Sequence, residues 1–285
     1  MGAPIDGADK FVLYTHGADG AANQFTDNAG PWPLSFREWL IDNGFGWVEG
    51  TGGGLQSWGN RASETAYNEL IDYVDKRYTV DQWLVLGRSM GGVVATRIYQ
   101  ARRNAEARNG TPYRNPSREN TRWIGLIINS GTQNLLGQYD YQNGARRPQM
   151  NAAWGVDNRD AFVAAIAGLN PIDGPPSAWQ ASRVLQMWGT ADDVVVPATN
   201  GEAMRAMYAG VPELDLVDIR VGGDHSSANG SYARVGVMTS FIANVSARKY
   251  MYRTQLFQDG ELRETTPNRD PRLRLLAPFP GQIVT

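Results

Sequence analysis

The sequence predicts an α/β domain: a mostly parallel central sheet of about six strands, helices on both faces, and a small insertion. Three observations carry this prediction. Short apolar runs alternate along the chain with longer segments of helical period, the pattern of strands joined by helical crossovers. The run WIGLIIN at residues 123–129 shows no polar alternation, which suits a strand covered on both faces. Finally, WLVL at 83–86 passes through Gly87-Arg88-Ser89-Met90-Gly91 into an apolar-periodic segment, so a strand, a sharp turn and a helix follow in succession.

Taken in order, FVLYT (11–15) reads as a buried strand and HGADG (16–20) as the loop at its end. LSFREWLID (34–42) carries Leu34, Trp39 and Leu40 at loosely helical spacing and stops at Asn43-Gly44. FGWVEG is the next strand and GTGGGLQSWGN a glycine-rich loop. From Arg61 to Tyr78, the positions Ala62, Ala66, Leu70, Ile71 and Val74 recur at threes and fours, which predicts an amphipathic helix. The helix after Ser89 runs into the polar stretch RNGTPYRNPSREN. Further strands are expected at 123–129, 183–189 and 214–221, and helices at 198–209 and 230–248; the chain shows no internal repeat.

Two stretches break the alternation. Residues 130–182 are too long for a plain crossover and contain Trp154, a helical pattern at 159–168 and the breaker NPIDGPP. They read either as a small cap or lid over the strand ends or as an ornate crossover with no part in binding. Residues 249–285 carry Pro267, Pro271, Pro278 and Pro280 among alternating charges, and read as an extended arm packing on its own domain or on a partner. The expected division is thus a domain over 1–248, with 130–182 as its insertion, and an arm over 249–285.

Composition excludes several classes. A net charge of −2 gives no electrostatic case for nucleic acid. No apolar run is long enough to span a bilayer, and the first residues lack the basic and apolar regions of a secretory signal. Without cysteine there is no disulfide or thiolate chemistry, and two histidines with no H-E-x-x-H make a zinc site a poor reading. No cofactor is expected.

The turn around Ser89 has the requirements of nucleophilic chemistry. A serine hydroxyl is a weak nucleophile at neutral pH, so it must stand clear of the sheet beside a base and backbone N–H groups. Gly87 and Gly91 leave room for the turn, and the Met90 amide opens the following helix, where it can face a developing oxyanion. The base must be His16 or His225. His16 directly follows the first strand, where a backbone N–H rather than an imidazole is wanted. Elimination therefore assigns His225, in the loop after the last strand; its bland reading is a solvated loop histidine. In a parallel sheet the loops after strands gather at one edge, so distant residues can meet there. The loop WGTADDVVVP (188–197) supplies an orienting acid, with Asp192 favoured and Asp193 a live alternative; one of the two is expected to serve only the turn.

Together these residues resemble the α/β-hydrolase family over residues 11 to about 245: a strand ending in His16-Gly17, the elbow Gly87–Gly91, the acid loop Gly189-Thr190-Ala191-Asp192, and His225, in the order serine, acid, histidine. The resemblance implies a serine hydrolase acting on carboxylic esters through an acyl-enzyme on Ser89, with the Ala18 backbone N–H as second oxyanion donor beside that of Met90. The family's leading strands have no counterpart here, which implies a sheet short of eight strands. A narrower likeness, carried by Ser57-Trp58-Gly59-Asn60 and the arginine-rich composition, is to hydrolases encoded by phages of actinobacteria. It implies action on cell-envelope lipid or acyl groups, released on lysis or associated with the virion.

Two other readings stay open: an amidase or peptidase on the same scaffold, and a hydrolase fold retained for binding, attached through residues 249–285. Trp58, Trp154, Phe162 and Trp179 are expected either to line an apolar acyl pocket or to be core.

Overall fold

The computed structural model describes residues 8–27, 32–109, 122–180, 182–225 and 234–247, and the backbone of two further strands at 252–258 and 261–268. By its contacts the chain divides into two compact units, Met1–Val245 and Ser246–Thr285.

The first unit is built on six strands: β1 (Lys10–Thr15), β2 (Phe45–Val48), β3 (Gln82–Arg88), β4 (Arg122–Asn129), β5 (Arg183–Gly189) and β6 (Leu214–Arg220). They form one sheet in the order β2-β1-β3-β4-β5-β6, every pairing parallel. The order reverses beside β1 and β3, so these two adjacent strands send their following loops to opposite sides of a crevice at the carboxyl edge, where α/β sheets place their ligands. The parallel α/β sheet is the one that the alternating runs predict, and the architecture is the α/β-hydrolase fold that the family resemblance implies.

Both faces of the inner strands are covered, which is why FVLYT, WLVL and WIGLIIN read as unbroken apolar runs, while the edge strand β6 carries Asp215 and Asp218 and leaves Leu216 and Ile219 exposed. Alternate residues divide between two cores. Phe11, Leu13, Trp83, Val85, Leu126 and Ile128 pack under Ile71 and Val74 of α2 (Arg61–Arg77), Val94 and Ile98 of α3 (Gly92–Asn109), and Met204 and Tyr208 of α7 (Gly201–Tyr208). Val12, Tyr14, Leu84, Leu86, Ile127 and Met187 pack under Phe36 and Leu40 of α1 (Leu34–Asp42) and Phe241 and Ile242 of α8 (Val235–Ser246). Each fully buried large apolar side chain contributes roughly 1.5–3 kcal/mol.

Between β4 and β5 lie α4 (Leu135–Asp140), α5 (Arg147–Trp154), α6 (Arg159–Ile166) and short 3₁₀ turns. Asn134 and Asn158 cap α4 and α6 by accepting from the Gly137 and Ala161 amides, and Gly155 ends α5 in the left-handed conformation. A third core joins this insertion to the domain: Leu135, Tyr139, Met150, Phe162 and Ile166 pack on Trp58, Met90 and Val93. Asn200 fastens its base, its Oδ1 accepting from the Gln133 and Asn134 amides at 2.9 and 3.1 Å.

The structure departs from the expectations at several places. The helix expected at 198–209 starts at Gly201, because Pro197 opens a 3₁₀ turn at Pro197–Thr199 first. The helix expected at 230–248 runs over Val235–Ser246; residues 230–233 and 248 lie outside the described residues, as do 110–120 of the polar stretch after α3. The arm at 249–285 is not simply extended: β7 (Tyr252–Gln258) and β8 (Glu261–Asn268) pair as an antiparallel hairpin, and residues 269–285 lie outside the described residues. Trp179 does not line a pocket, since it is wholly buried against Tyr208, with ring centroids 4.7 Å apart. Phe162 is equally buried, stacked on Tyr139 at 4.2 Å. Trp154 is half-buried and borders an open cleft of about 370 Å³ with Asn60, Arg61, Ala62, Ala153 and Ala165. No helix among the described residues is long and apolar enough to cross a membrane.

Candidate active site

The site begins with backbone strain at Ser89. This residue has φ +49°, a left-handed conformation that side chains with a Cβ adopt only when the surroundings impose it. Here β3 ends at Arg88, a 3₁₀ turn holds Ser89–Gly91, and α3 starts at once. The turn fits because Gly91 has no side chain: a Cβ there would lie 2.3 Å from the Thr15 carbonyl oxygen. Thr15 Oγ1 donates to the Gly91 carbonyl at 2.9 Å, locking the end of β1 to the turn.

His225, from the loop after β6, places Nε2 2.9 Å from Ser89 Oγ. Its Nδ1 is 2.9 Å from Asp192 Oδ2 and 3.1 Å from Oδ1. Asp192 follows β5 and its side chain is fully buried. Two backbone amides orient it, those of Val194 and Val195, which donate to Oδ1 at 3.0 and 2.8 Å. A carboxylate held this way fixes the ring tautomer with the proton on Nδ1, leaving Nε2 to accept from the serine. Asp193, the alternative acid, is exposed. Three residues separated widely in sequence thus form one hydrogen-bonded line at the carboxyl edge of β3, β5 and β6.

The loop after β1 faces this line from the other side. A Cβ on Gly17 would sit 3.2 Å from Ser89 Cβ and 3.7 Å from Ser89 Oγ. The Gly17 carbonyl accepts from the Gly20 amide at 3.0 Å and contacts His16 Nδ1 at 2.6 Å. In a trans peptide the Ala18 N–H therefore points the opposite way, away from His16. Neither the Ala18 nor the Met90 N–H has a loop or side-chain acceptor among the described residues.

His16 is not in contact with Ser89 in the role of a base. It is buried, with Nε2 2.8 Å from the Thr51 carbonyl, and so joins the loop after β1 to the glycine-rich loop after β2.

Sequence reasoning missed what lies beneath this loop. Gln24 Oε1 accepts from the Gly17 amide at 3.1 Å and from the Tyr14 hydroxyl at 2.6 Å. The Tyr14 phenol is pushed well above its ordinary range by burial, so it stays a neutral donor. Burial does the same to Tyr67, whose hydroxyl oxygen accepts from the His16 amide at 3.3 Å. A glutamine in a loop belongs to no periodic pattern, so nothing in the sequence singles it out. Trp58 sits above the elbow with its amide 3.2 Å from Met90 Sδ and is buried, while Asn60 caps α2. The Ser57–Asn60 segment is thus a packing turn and a helix start, not an open acyl pocket.

Comparisons with known proteins agree with this architecture. No protein-family model matches the chain, and no curated protein matches it in sequence. Solved structures do. An esterase from Pyrococcus furiosus superposes with a TM-score of 0.55 at 14% identity, with 84% of each chain covered. Oligopeptidase B from Leishmania major gives 0.60 at 12% identity over 84% of this chain. A bifunctional GH43-CE protein from Bacteroides eggerthii gives 0.57 at 18% identity over 86%. This chain spans only 33% and 35% of the last two. At such identities the likeness is one of fold, and the fold is that of the α/β hydrolases.

Proposed function

We propose that the protein is a serine hydrolase that cleaves carboxylic esters through an acyl-enzyme on Ser89. The observation that carries the proposal is the continuous line of hydrogen bonds from Asp192 through His225 to Ser89 Oγ. His225 Nε2 removes the Ser89 proton as Oγ attacks the acyl carbonyl carbon, and the amides of Met90 and Ala18 receive the oxyanion. The tetrahedral adduct collapses when His225 returns that proton to the departing alkoxide, leaving the acyl group on Ser89. Water then attacks the acyl carbon while His225 takes its proton, and a carboxylic acid leaves as Ser89 recovers its hydrogen. Buried Asp192 stabilises the imidazolium in both steps.

The insertion at 130–182 acts in this reading as a fixed cap, since its Tyr139, Met150 and Phe162 pack on Met90 beside the nucleophile. The arm at 249–285 is proposed as a contact for another chain. The narrower likeness to hydrolases of actinobacterial phages, carried by the glycine-rich loop, Ser57–Asn60 and the arginine-rich composition, supports a cell-envelope lipid or acyl ester as the natural target.

Hydrolysis of p-nitrophenyl esters from acetyl to palmitoyl, with a p-nitroanilide beside them, tests the proposal. Turnover of the esters by wild type and none by Ser89→Ala is expected. Wild-type protein that is folded but inert toward every ester, or a Ser89→Ala variant as active as wild type, would falsify it.

A further inference from the structure

Strand alternation along β3 sends Leu84 and Leu86 into the core under α1 and α8 and brings Arg88 to the top of the same row, directly before the nucleophile. Arg88 is half-buried. Among the described residues it is the one half-buried arginine with no hydrogen bond, ion pair or ring contact. The others are engaged: Arg102 with Asn68, Arg103 and Arg183 with Glu213, Arg122 with Asp81, Arg146 over Trp58, Arg147 with Asp140 and Arg205 with Asp215, and Arg220 too has a partner. Withdrawing a guanidinium from water without a partner is unfavourable; Arg61, which has only solvent, stands exposed, and even exposed Arg77 lies over the Tyr73 ring.

The carboxylates that could have neutralised Arg88 are committed elsewhere. Glu49 acts, like Arg88, on the Tyr14 hydroxyl, yet its oxygens accept from the Phe25 and Thr26 amides and the Thr26 hydroxyl. Asp192 is held by His225 and two amides. Among the described residues, then, no carboxylate pairs with Arg88, whose Nη1 stands beside Gly17 at the site.

Its distance from the chemistry follows from Gly17. The point where a Gly17 Cβ would lie is 3.5 Å from Arg88 Nη1 and 3.7 Å from Ser89 Oγ, so the two atoms are no more than about 7 Å apart. We propose that Arg88 is an anion subsite of the Ser89 centre and that the substrate is an ester carrying a carboxylate or phosphate close to the scissile carbonyl. With the carbonyl carbon ~3 Å from Oγ and a charge-assisted hydrogen bond of ~2.8 Å to the guanidinium, the anion lies roughly two to four bonds from that carbon. The inference rests on the serine-hydrolase reading and narrows its substrate class. The anion belongs either to the acyl group or to the leaving alcohol; both present the same chemistry to Arg88.

Matched pairs of esters test it on the full chain. For the acyl side, p-nitrophenyl hemiglutarate is compared with p-nitrophenyl hexanoate after subtracting spontaneous hydrolysis. For the alcohol side, O-acetylglycolate is compared with O-acetylglycolamide. Wild type is expected to favour the charged member of one pair in kcat/KM, and Arg88→Met to lower that charged-to-neutral ratio by roughly 10-fold or more, the worth of one hydrogen bond to a charged group. Arg88→Lys, which keeps the charge and loses the fork, is expected to recover part of the ratio. The responding pair identifies the side that carries the anion. A ratio unmoved by Arg88→Met in both pairs, or an equal fall for all four esters, overturns the subsite. If wild type turns over the neutral esters without preferring an anion, only this inference fails. If it turns over nothing and a fluorophosphonate does not label Ser89, the hydrolase reading fails and takes the subsite with it.

Discussion

At the scale of single residues, each part of the site has its own structural cause. Ser89 is presented by a strained turn, and that turn exists only because Gly91 leaves the Thr15 carbonyl unobstructed. Gly91→Ala is expected to give little folded protein in an expression and circular-dichroism screen. Asp192 differs: it is held by backbone amides, so Asp192→Asn keeps the shape and presents the wrong tautomer to Nε2. Turnover is expected to fall by roughly 10⁴-fold while the melting temperature changes little. A fully active Asp192→Asn enzyme would show that the acid is not needed. The choice between Asp192 and Asp193 could not be read from the sequence, because it depends on where the Val194 and Val195 amides point, and adjacent aspartates look alike until the loop is folded. Gln24 makes a third case. It holds the Gly17 amide from below, so Gln24→Met should misplace the Ala18 N–H and lower kcat by roughly 10- to 100-fold with KM nearly unchanged, since the lost contact is made in the transition state. Gln24→Glu keeps the acceptor oxygen and should recover much of the loss. A change confined to KM would contradict this role.

At the scale of elements, legibility followed burial on two faces. Strand β5 is apolar except for the buried Gln186, while β1, β3 and β4 are covered on both sides and announce themselves as unbroken apolar runs, as α2 does by its amphipathic period. The hairpin β7–β8 did not, because alternating charges and Pro267 conceal a pairing in which Pro267 lies opposite Arg253. The aromatic residues of the insertion were ambiguous for a different reason: a tryptophan that lines a pocket and one that fills a core carry the same letter. The cap's outer helices are joined by Asp140, which accepts from Arg147 and Arg159. Hydrogen bonding to Arg159, aided by Arg147, holds the Asp140 carboxyl below the ordinary carboxylate range. A depressed folded value means that the contribution is present above the unfolded value and is lost as pH falls through the folded one. The pair is partly exposed, so Asp140→Asn is expected to cost no more than about 1 kcal/mol at neutral pH. That difference from wild type should vanish in acid, as followed by thermal melts across pH. A deficit that persisted below the folded value would show that packing, and not charge, joins these helices. Phe162→Ala, by contrast, removes a fully buried ring and should cost about 3–5 kcal/mol at any pH.

At the scale of the whole molecule, the six-stranded sheet gathers the loops after β1, β3, β5 and β6 at one edge, and those loops supply the Gly17–Ala18 peptide, Ser89, Asp192 and His225 respectively. These four groups all lie within the first unit, Met1–Val245. A chain ending at residue 247 is therefore expected to keep its ester hydrolysis, measured as kcat/KM on p-nitrophenyl acetate; loss of activity in a folded truncated chain would give the arm a part in the site. The central claim, that Ser89 is a nucleophile activated by His225, is tested most directly by reaction with a fluorophosphonate probe and mass mapping of the labelled peptide. The account predicts stoichiometric labelling on Ser89, lost in Ser89→Ala and strongly slowed in His225→Ala. Folded wild-type protein that takes up no label, or a label found on another residue, would contradict it.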